Sequence, residues 1–279
     1  MSNIGMQRLG TASRYTLLAI IFLTLMLPLY WFIMSSFRPT EDIFLYANDF
    51  GLRTIVPNRL TMDNHIAVFH SEFMTAMSNS LIICVTTVVL GIFVNSLAGF
   101  AFAVFEFPFK NVLFVLVLLS FMMPFESIVI PLYSLSRSLG IVNTYAVLIL
   151  PDIANGLVIF LFRQFFAGIP RDVYEAARID GASWWQIYLR ITLPIAGPTV
   201  AAASLLIFIH QWDAFFWPLI AASSPDLIVV QVAIARNMSV DQTNWGMLFS
   251  SCSIALAVAL LPFLFLQRFY VSVIRSNHS

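Results

Sequence analysis

The residues of this chain with most chemical potential fall into two groups. The first is a compact charged island, Glu175-Ala176-Ala177-Arg178-Ile179-Asp180-Gly181, set between stretches that are almost wholly apolar. A carboxylate beside an alanine pair lets another backbone approach closely. Glu175 can then pair with an arginine of a partner and fix the register. Truncating one member of such a pair costs about 2–5 kcal/mol. The second group is a set of isolated acids in apolar surroundings: Glu126 between Pro124 and Pro131, Asp152 after Pro151, and Asp213. In the middle of a bilayer each would cost at least ~2.5–3.5 kcal/mol, so each needs a partner or water.

Glu126 and Asp213 have two readings. Either they face a translocation pathway or a partner subunit, or they sit near the external interface or pair structurally with Arg137 or His210. Asp152 reads as a structural residue at the start of a helix. Trp212, Phe215, Phe216 and Trp217 lie close together. Their faces could stack on sugar rings, although packing and interface roles are commoner for aromatics. Gln211, with Asn79 and Asn95, could bind hydroxyls, but such residues more often join helices. Gly91 and Gly99 suit close helix approach. The prolines suggest broken helices, which are tolerated where they line a cavity.

Other chemistry is disfavoured. Lys110 is the sole lysine and follows no glycine pattern, so the G-x4-G-K-[ST] loop that cradles ATP phosphates is missing. His65, His70, His210 and His278 show no HExxH spacing and no nucleophile arrangement, so no enzyme active site and no metal site are expected. Cys84 and Cys252 lie in apolar runs and read as small core residues. The balance of 14 basic and 14 acidic residues argues against a nucleic-acid partner.

The elements that must carry these residues follow from composition. Of 279 residues 60% are hydrophobic and 10% charged, with mean hydropathy +0.89. A soluble chain carries about 25% charged residues. A helix needs about 20 apolar residues to cross the hydrocarbon core. Six such stretches can be drawn, at about 15–37, 77–103, 111–133, 143–166, 198–221 and 244–267. With no water to satisfy an open strand edge they should be helices, giving an all-α integral membrane protein with one transmembrane domain over 1–279. No cleavage site follows the first stretch, so it reads as a retained helix.

With a cytoplasmic N-terminus, one side carries Arg8, Arg14, Lys110, Arg163, Arg171, Arg178, Arg190, Arg268 and Arg275, and the other Arg38, Arg53, Arg59, Arg137 and Arg236. That bias puts both termini and the loop 167–194 in the cytoplasm of a plasma membrane. The segment from about 38 to 75 is then external, with a surface helix expected around 61–73 presenting Ile66, Phe69 and Phe73 on one face.

Within the loop, Pro170, Asp172 and Glu175 suit a helix start. Val173, Ala176, Ala177 and Asp180 fall on one side, and Gly181 is placed to end the helix in a left-handed conformation. Ser183 and Gln186 make a capping box for a second helix toward Pro194. Two short helices meeting at a glycine form a rigid elbow. The rival reading is a connector lying on the membrane with Trp184 and Trp185 at the headgroups.

The island and its continuation match E-A-A-x3-G-x9-I-x-L-P through Glu175, Ala176, Ala177, Gly181, Ile191, Leu193 and Pro194. In this the chain resembles the membrane subunits of binding-protein-dependent ABC importers. SSFRPTEDIF, NSLAGFAFAVFEFP, MMPFESIVIPLY and WDAFFWPLI resemble the maltose-type (MalG-like) carbohydrate permeases. The resemblance implies a six-helix type I permease fold. It implies docking of the loop, through Glu175, Ala176, Ala177, Arg178, Asp180 and Gly181, on an ATPase subunit. It also implies a second homologous permease, two ATPase subunits that bind ATP and Mg, and an extracytoplasmic solute-binding protein. The pathway residues expected here are Glu126, Gln211, Trp212, Asp213 and Phe216. A departure is the end of the chain, QRFYVSVIRSNHS, which lacks the glycine-rich tail of many relatives. The alternative is an ion- or proton-coupled secondary transporter using Glu126 or Asp213. It would need inverted repeats, and it leaves the elbow unexplained.

Overall fold

The computed structural model describes residues 2–45, 51–238 and 243–276, and among them every regular element is helical. In chain order these are α1 (Ser2–Ser36), α2 (Leu52–Ile55), α3 (Asp63–Phe69), α4 (Phe73–Val104), α5 (Lys110–Met122), α6 (Phe125–Ser138), α7 (Tyr145–Ile149), α8 (Gly156–Ala167), α9 (Arg171–Ile179), α10 (Trp184–Ile187), α11 (Leu193–Ile195), α12 (Gly197–Trp212), α13 (Phe216–Ala221), α14 (Val230–Arg236) and α15 (Trp245–Ser276). The side chains of the glycine-free tail, QRFYVSVIRSNHS, lie outside the described residues.

Three helices are long and apolar enough to cross a membrane alone: Arg14–Ser36 of α1, all of α4, and Trp245–Phe265 of α15. Three bent pairs bring the total to six if each is one span. The span expected at 111–133 is broken, as its prolines suggest. Met123 is extended and Pro124 caps the next helix, so α5 and α6 meet at 101°. A residue before proline is pushed out of the helical region, which explains the corner. Pro131, by contrast, is carried inside α6. The helices α7 and α8 meet at 43°, around Pro151 and the cap at Asn155, whose side chain accepts from the amides of Leu157 and Val158. The span expected at 198–221 is likewise interrupted: α12 stops at Trp212 and α13 begins at Phe216.

The chain divides into two compact units, Met1–Met74 with Ile234–Leu256 and Thr75–Ala233 with Ala257–Ser279. In the first, Phe249 of α15 meets Trp31 and Phe32 of α1 edge-on, at 5.7 and 5.0 Å. Arg38, only 2% exposed, donates to the carbonyls of Thr54 (2.7 Å) and Arg53 (3.3 Å). Its own carbonyl accepts from Asn64 Nδ2 at 2.7 Å. Gly246 is needed here, since a Cβ would collide with Thr40 and Asn64. The surface helix α3 therefore turns Asn64 and Val68 inward and leaves Ile66 and Phe69 exposed. Phe73, expected on one face with them, is instead buried at the start of α4, and a polar seat rather than an apolar stripe orients α3.

In the second unit the asparagines are structural. Asn79 Nδ2 donates to the carbonyls of Asp226 and Ile228, and its Oδ1 accepts from Tyr145. Asn95 donates to the carbonyls of Gly91 and Ile153 and accepts from the Asn155 amide at 2.8 Å. It thereby holds the bend between α7 and α8. One apolar core gathers around Val147, Leu148, Trp217 and Val229. A second joins Phe100 of α4 and Phe162 and Phe166 of α8 to Tyr174, Ala177 and Ile187 of the loop.

Candidate functional site

Two features could carry function, the elbow and a cavity. In the elbow, α9 follows Pro170 and ends in a left-handed glycine, Gly181 at φ +83°. The Gly181 amide donates to the Arg178 carbonyl (3.1 Å) and the Ala182 amide to the Ala177 carbonyl (3.0 Å). These two bonds close a Schellman turn. Ser183 and Gln186 then form the reciprocal capping box that opens α10, at 2.8 and 3.3 Å. A π-helical turn, Tyr188–Thr192, leads into α11. Both helix ends at the corner are therefore satisfied by local bonds, which makes the corner stiff.

One side of the elbow is keyed into the chain. Tyr174 and Ala177 are buried, three residues apart on the helix. The Tyr174 hydroxyl donates to the Phe166 carbonyl at 3.3 Å, and burial pushes its pKa up, so it keeps its proton. Tyr188, also buried, hydrogen-bonds Ser96 at 2.8 Å. The Phe100 ring lies 6.3 Å from Tyr174 and 5.5 Å from Tyr188. Beneath them α4 and α8 touch at Gly99, where a Cβ would crowd Phe162 and the Arg163 amide.

The opposite side exposes Glu175, Ala176, Arg178, Ile179, Asp180 and Gly181. Ala177 does not join them, because the helical phase turns its methyl into the core. Ile179, 86% exposed, is a large apolar residue on this face that sequence reading passed over. A lone isoleucine within a charged island was the available signal. Arg178 donates to the Ala182 carbonyl at 2.9 Å and lies 5.3 Å over the Trp184 ring, so it braces the corner. Trp184 and Trp185 lean on Phe105 and Phe93, at 4.9 and 6.3 Å. Glu175 has no ion-pair partner among the described residues and borders a recess of about 410 Å³ with Lys110, Arg163 and Arg171.

The second feature is a cavity of about 680 Å³ in the Thr75–Ala233 unit. Asp152, His210 and Asp213 line it together with Phe121, Phe125, Phe215, Phe216 and Trp217. Of the expected pathway residues, Asp213 and Phe216 are there. Gln211 is buried, donating to the Leu148 carbonyl at 3.2 Å. Trp212 is buried against Phe208, ring centroids 5.5 Å apart. Both point away because they lie on the packed face of the last turn of α12. Glu126 is exposed in the first turn of α6 and is not part of the lining. Its charge suits a helix N-terminus. His210 pairs with Asp152, Nε2 to Oδ1 3.3 Å, rather than with Glu126 or Asp213. Sequence alone did not join these two residues, which are 58 positions apart.

Comparison with known proteins gives the family and the fold of the chain. The family model described as "Binding-protein-dependent transport system inner membrane component" matches residues 88–276. The arabinooligosaccharides transport system permease protein AraQ of Halalkalibacterium halodurans is 35% identical over 248 residues, 88% of each chain. The sn-glycerol-3-phosphate transport system permease protein UgpE of Agrobacterium fabrum is 27% identical over 259 residues, again 88% of each. Among solved structures, a bacterial ABC transporter involved in the import of the acidic polysaccharide alginate aligns with TM-score 0.84 at 19% identity, over 94% of this chain and 97% of that one.

Proposed function

The chain belongs to the family of inner membrane components of binding-protein-dependent transport systems, and we propose that it forms half of the pathway of an ATP-driven importer for a carbohydrate or related polyol phosphate. The solute class is supported by the names of its relatives, which include an arabinooligosaccharide and a glycerol-phosphate permease. Its partners would be a second homologous permease, two ATPase subunits and an extracytoplasmic binding protein. ATP and Mg²⁺ belong to the ATPase subunits, because this chain has no phosphate-binding loop to hold them. The chain itself is a transport component, with both termini and the elbow on the cytoplasmic side.

The observation that carries this reading is the two-sidedness of the elbow. Its outer side offers Glu175, Ala176, Ile179 and Asp180 to a groove. Its inner side is wedged through Tyr174 and Ala177 against Phe100 and Phe166. A push on the outer side by a closing ATPase dimer would move α4 and α8 instead of bending the loop. Gly181 supplies the corner and Arg178 braces it, so both act indirectly, and Ala177 acts from within the core.

The test is the pair Glu175→Ala and Ile179→Asp in the complete importer. Both side chains leave the core untouched, so membrane insertion should be normal. Co-purification of the ATPase subunits should fall at least tenfold, or hydrolysis should continue without uptake. Normal transport by the double variant would remove the elbow from the coupling path. ATP-independent uptake abolished by Asp213→Asn would instead favour an ion-coupled carrier.

A further inference from the structure

The cavity has a chemical character that the permease reading does not use. Its walls are aromatic, with Phe125 and Phe216 rings 6.3 Å apart and nearly perpendicular, and Trp217 held by a bond from its indole N–H to the Val147 carbonyl at 2.8 Å. Its ionisable lining is Asp152, His210 and Asp213, with no lysine or arginine. Asp213 also caps the C-terminus of α12, the negative end of that helix's dipole. The N-terminus of α8 reaches the same cavity through Leu157 and Val158. Its positive end is already spent, because both amides donate to Asn155 Oδ1, at 3.0 and 3.3 Å.

The two carboxylates, Asp152 and Asp213, favour a hydrogen-bond donor without negative charge. Carboxylates accept from hydroxyl groups, and a site built to bond hydroxyls discriminates strongly. A phosphate or carboxylate would face like charges on this wall, which is a repulsive device for specificity. A bound metal ion is a poorer fit. Among the described residues no three His, Cys, Asp or Glu converge as ligands. The volume of about 680 Å³ falls within the ~300–1,000 Å³ of small-molecule sites.

We propose that this cavity is a solute subsite of the permease itself, selective for a neutral, hydroxyl-rich saccharide and closed to phosphorylated or uronic solutes. The proposal rests on the transport reading and narrows it from carbohydrate or polyol phosphate to neutral carbohydrate. Asp213 and the Asp152–His210 pair bond the hydroxyls, while Phe216 offers a ring face.

The experiment uses the complete importer in liposomes without its binding protein, so that selection by that protein does not enter. It carries Cys252→Ser and a reporter Ala214→Cys in the cavity wall. Alkylation of the reporter by a maleimide is timed with arabinotriose, trehalose, sn-glycerol 3-phosphate or digalacturonate at tens of millimolar. The neutral sugars should slow labelling at least fivefold and the anions should not. Asp213→Asn should abolish the protection and Asp213→Glu should retain it, with co-purification of the ATPase subunits reporting folding in each variant. Protection by the anions, by none of the four, or undiminished in Asp213→Asn would overturn the proposal. ATP-driven saccharide uptake, measured separately with the binding protein, keeps the two readings apart. Uptake without protection would refute the subsite and leave the permease standing. Protection without any ATP-driven uptake would refute the transport assignment instead.

Discussion

Gly181 shows how much one residue decides. Its φ of +83° lies in the left-handed region, and nothing stands within 4 Å of where a Cβ would be. Substitution there is penalised by backbone conformation alone, about 1–2 kcal/mol for an ordinary L-residue. Asparagine tolerates that region and a β-branched residue does not. Coupling efficiency, measured as solute imported per ATP, should therefore fall in the order Gly181, Gly181→Asn, Gly181→Ala, Gly181→Val. A flat series would mean that the corner need not be held. Gly99 is limited differently, since space and not φ excludes a side chain there. The two glycines look alike in sequence, yet one shapes a turn and the other lets α4 meet α8.

Among the elements, α3 depends on its seat. His65 stacks on Phe37 with ring centroids 4.5 Å apart, beside the Asn64 bonds to Arg38 and Thr40. Burial holds the His65 pKa below its ordinary 6.5, so the folded seat favours the neutral ring. The unfolded chain takes up its proton first as pH falls. The seat keeps full stability above about pH 6.5 and loses it from there down through the lower folded value. Protease cleavage within residues 51–62 should thus accelerate between pH 7 and 5, and the acceleration should shrink in His65→Phe. If wild type and variant respond alike, the stacked ring is not what acid disturbs.

For the whole molecule the question is which way it faces the bilayer. Nine basic residues assigned to one side and five to the other predict a cytoplasmic elbow and an external segment around residue 60. Leu60 and Ile179 are 71% and 86% exposed, so a cysteine at either is reachable. Cys84 is buried and Cys252 can be replaced by serine. In intact cells an impermeant maleimide should label Leu60→Cys and spare Ile179→Cys, and permeabilisation should expose both. The opposite pattern would leave the elbow with no ATPase to meet.

The amino-acid sequence by itself determined the apolar stretches, the left-handed end at Gly181 and the Ser183–Gln186 capping box. These depend on hydropathy over some 20 residues or on bonds between residues three to five apart, so they can be read along the chain. Pro124 and Pro151 likewise announced their breaks, because proline acts on its immediate neighbour. Only the tertiary structure decided that Ala177 faces inward and Ile179 outward, that Asp152 meets His210, and that Gln211 and Trp212 are packed while Asp213 is open to a cavity. It alone buried Arg38 against Thr54 and turned α3 on its polar side. Each of those outcomes depends on contacts between segments distant in the chain, whose relative phase a local pattern does not encode.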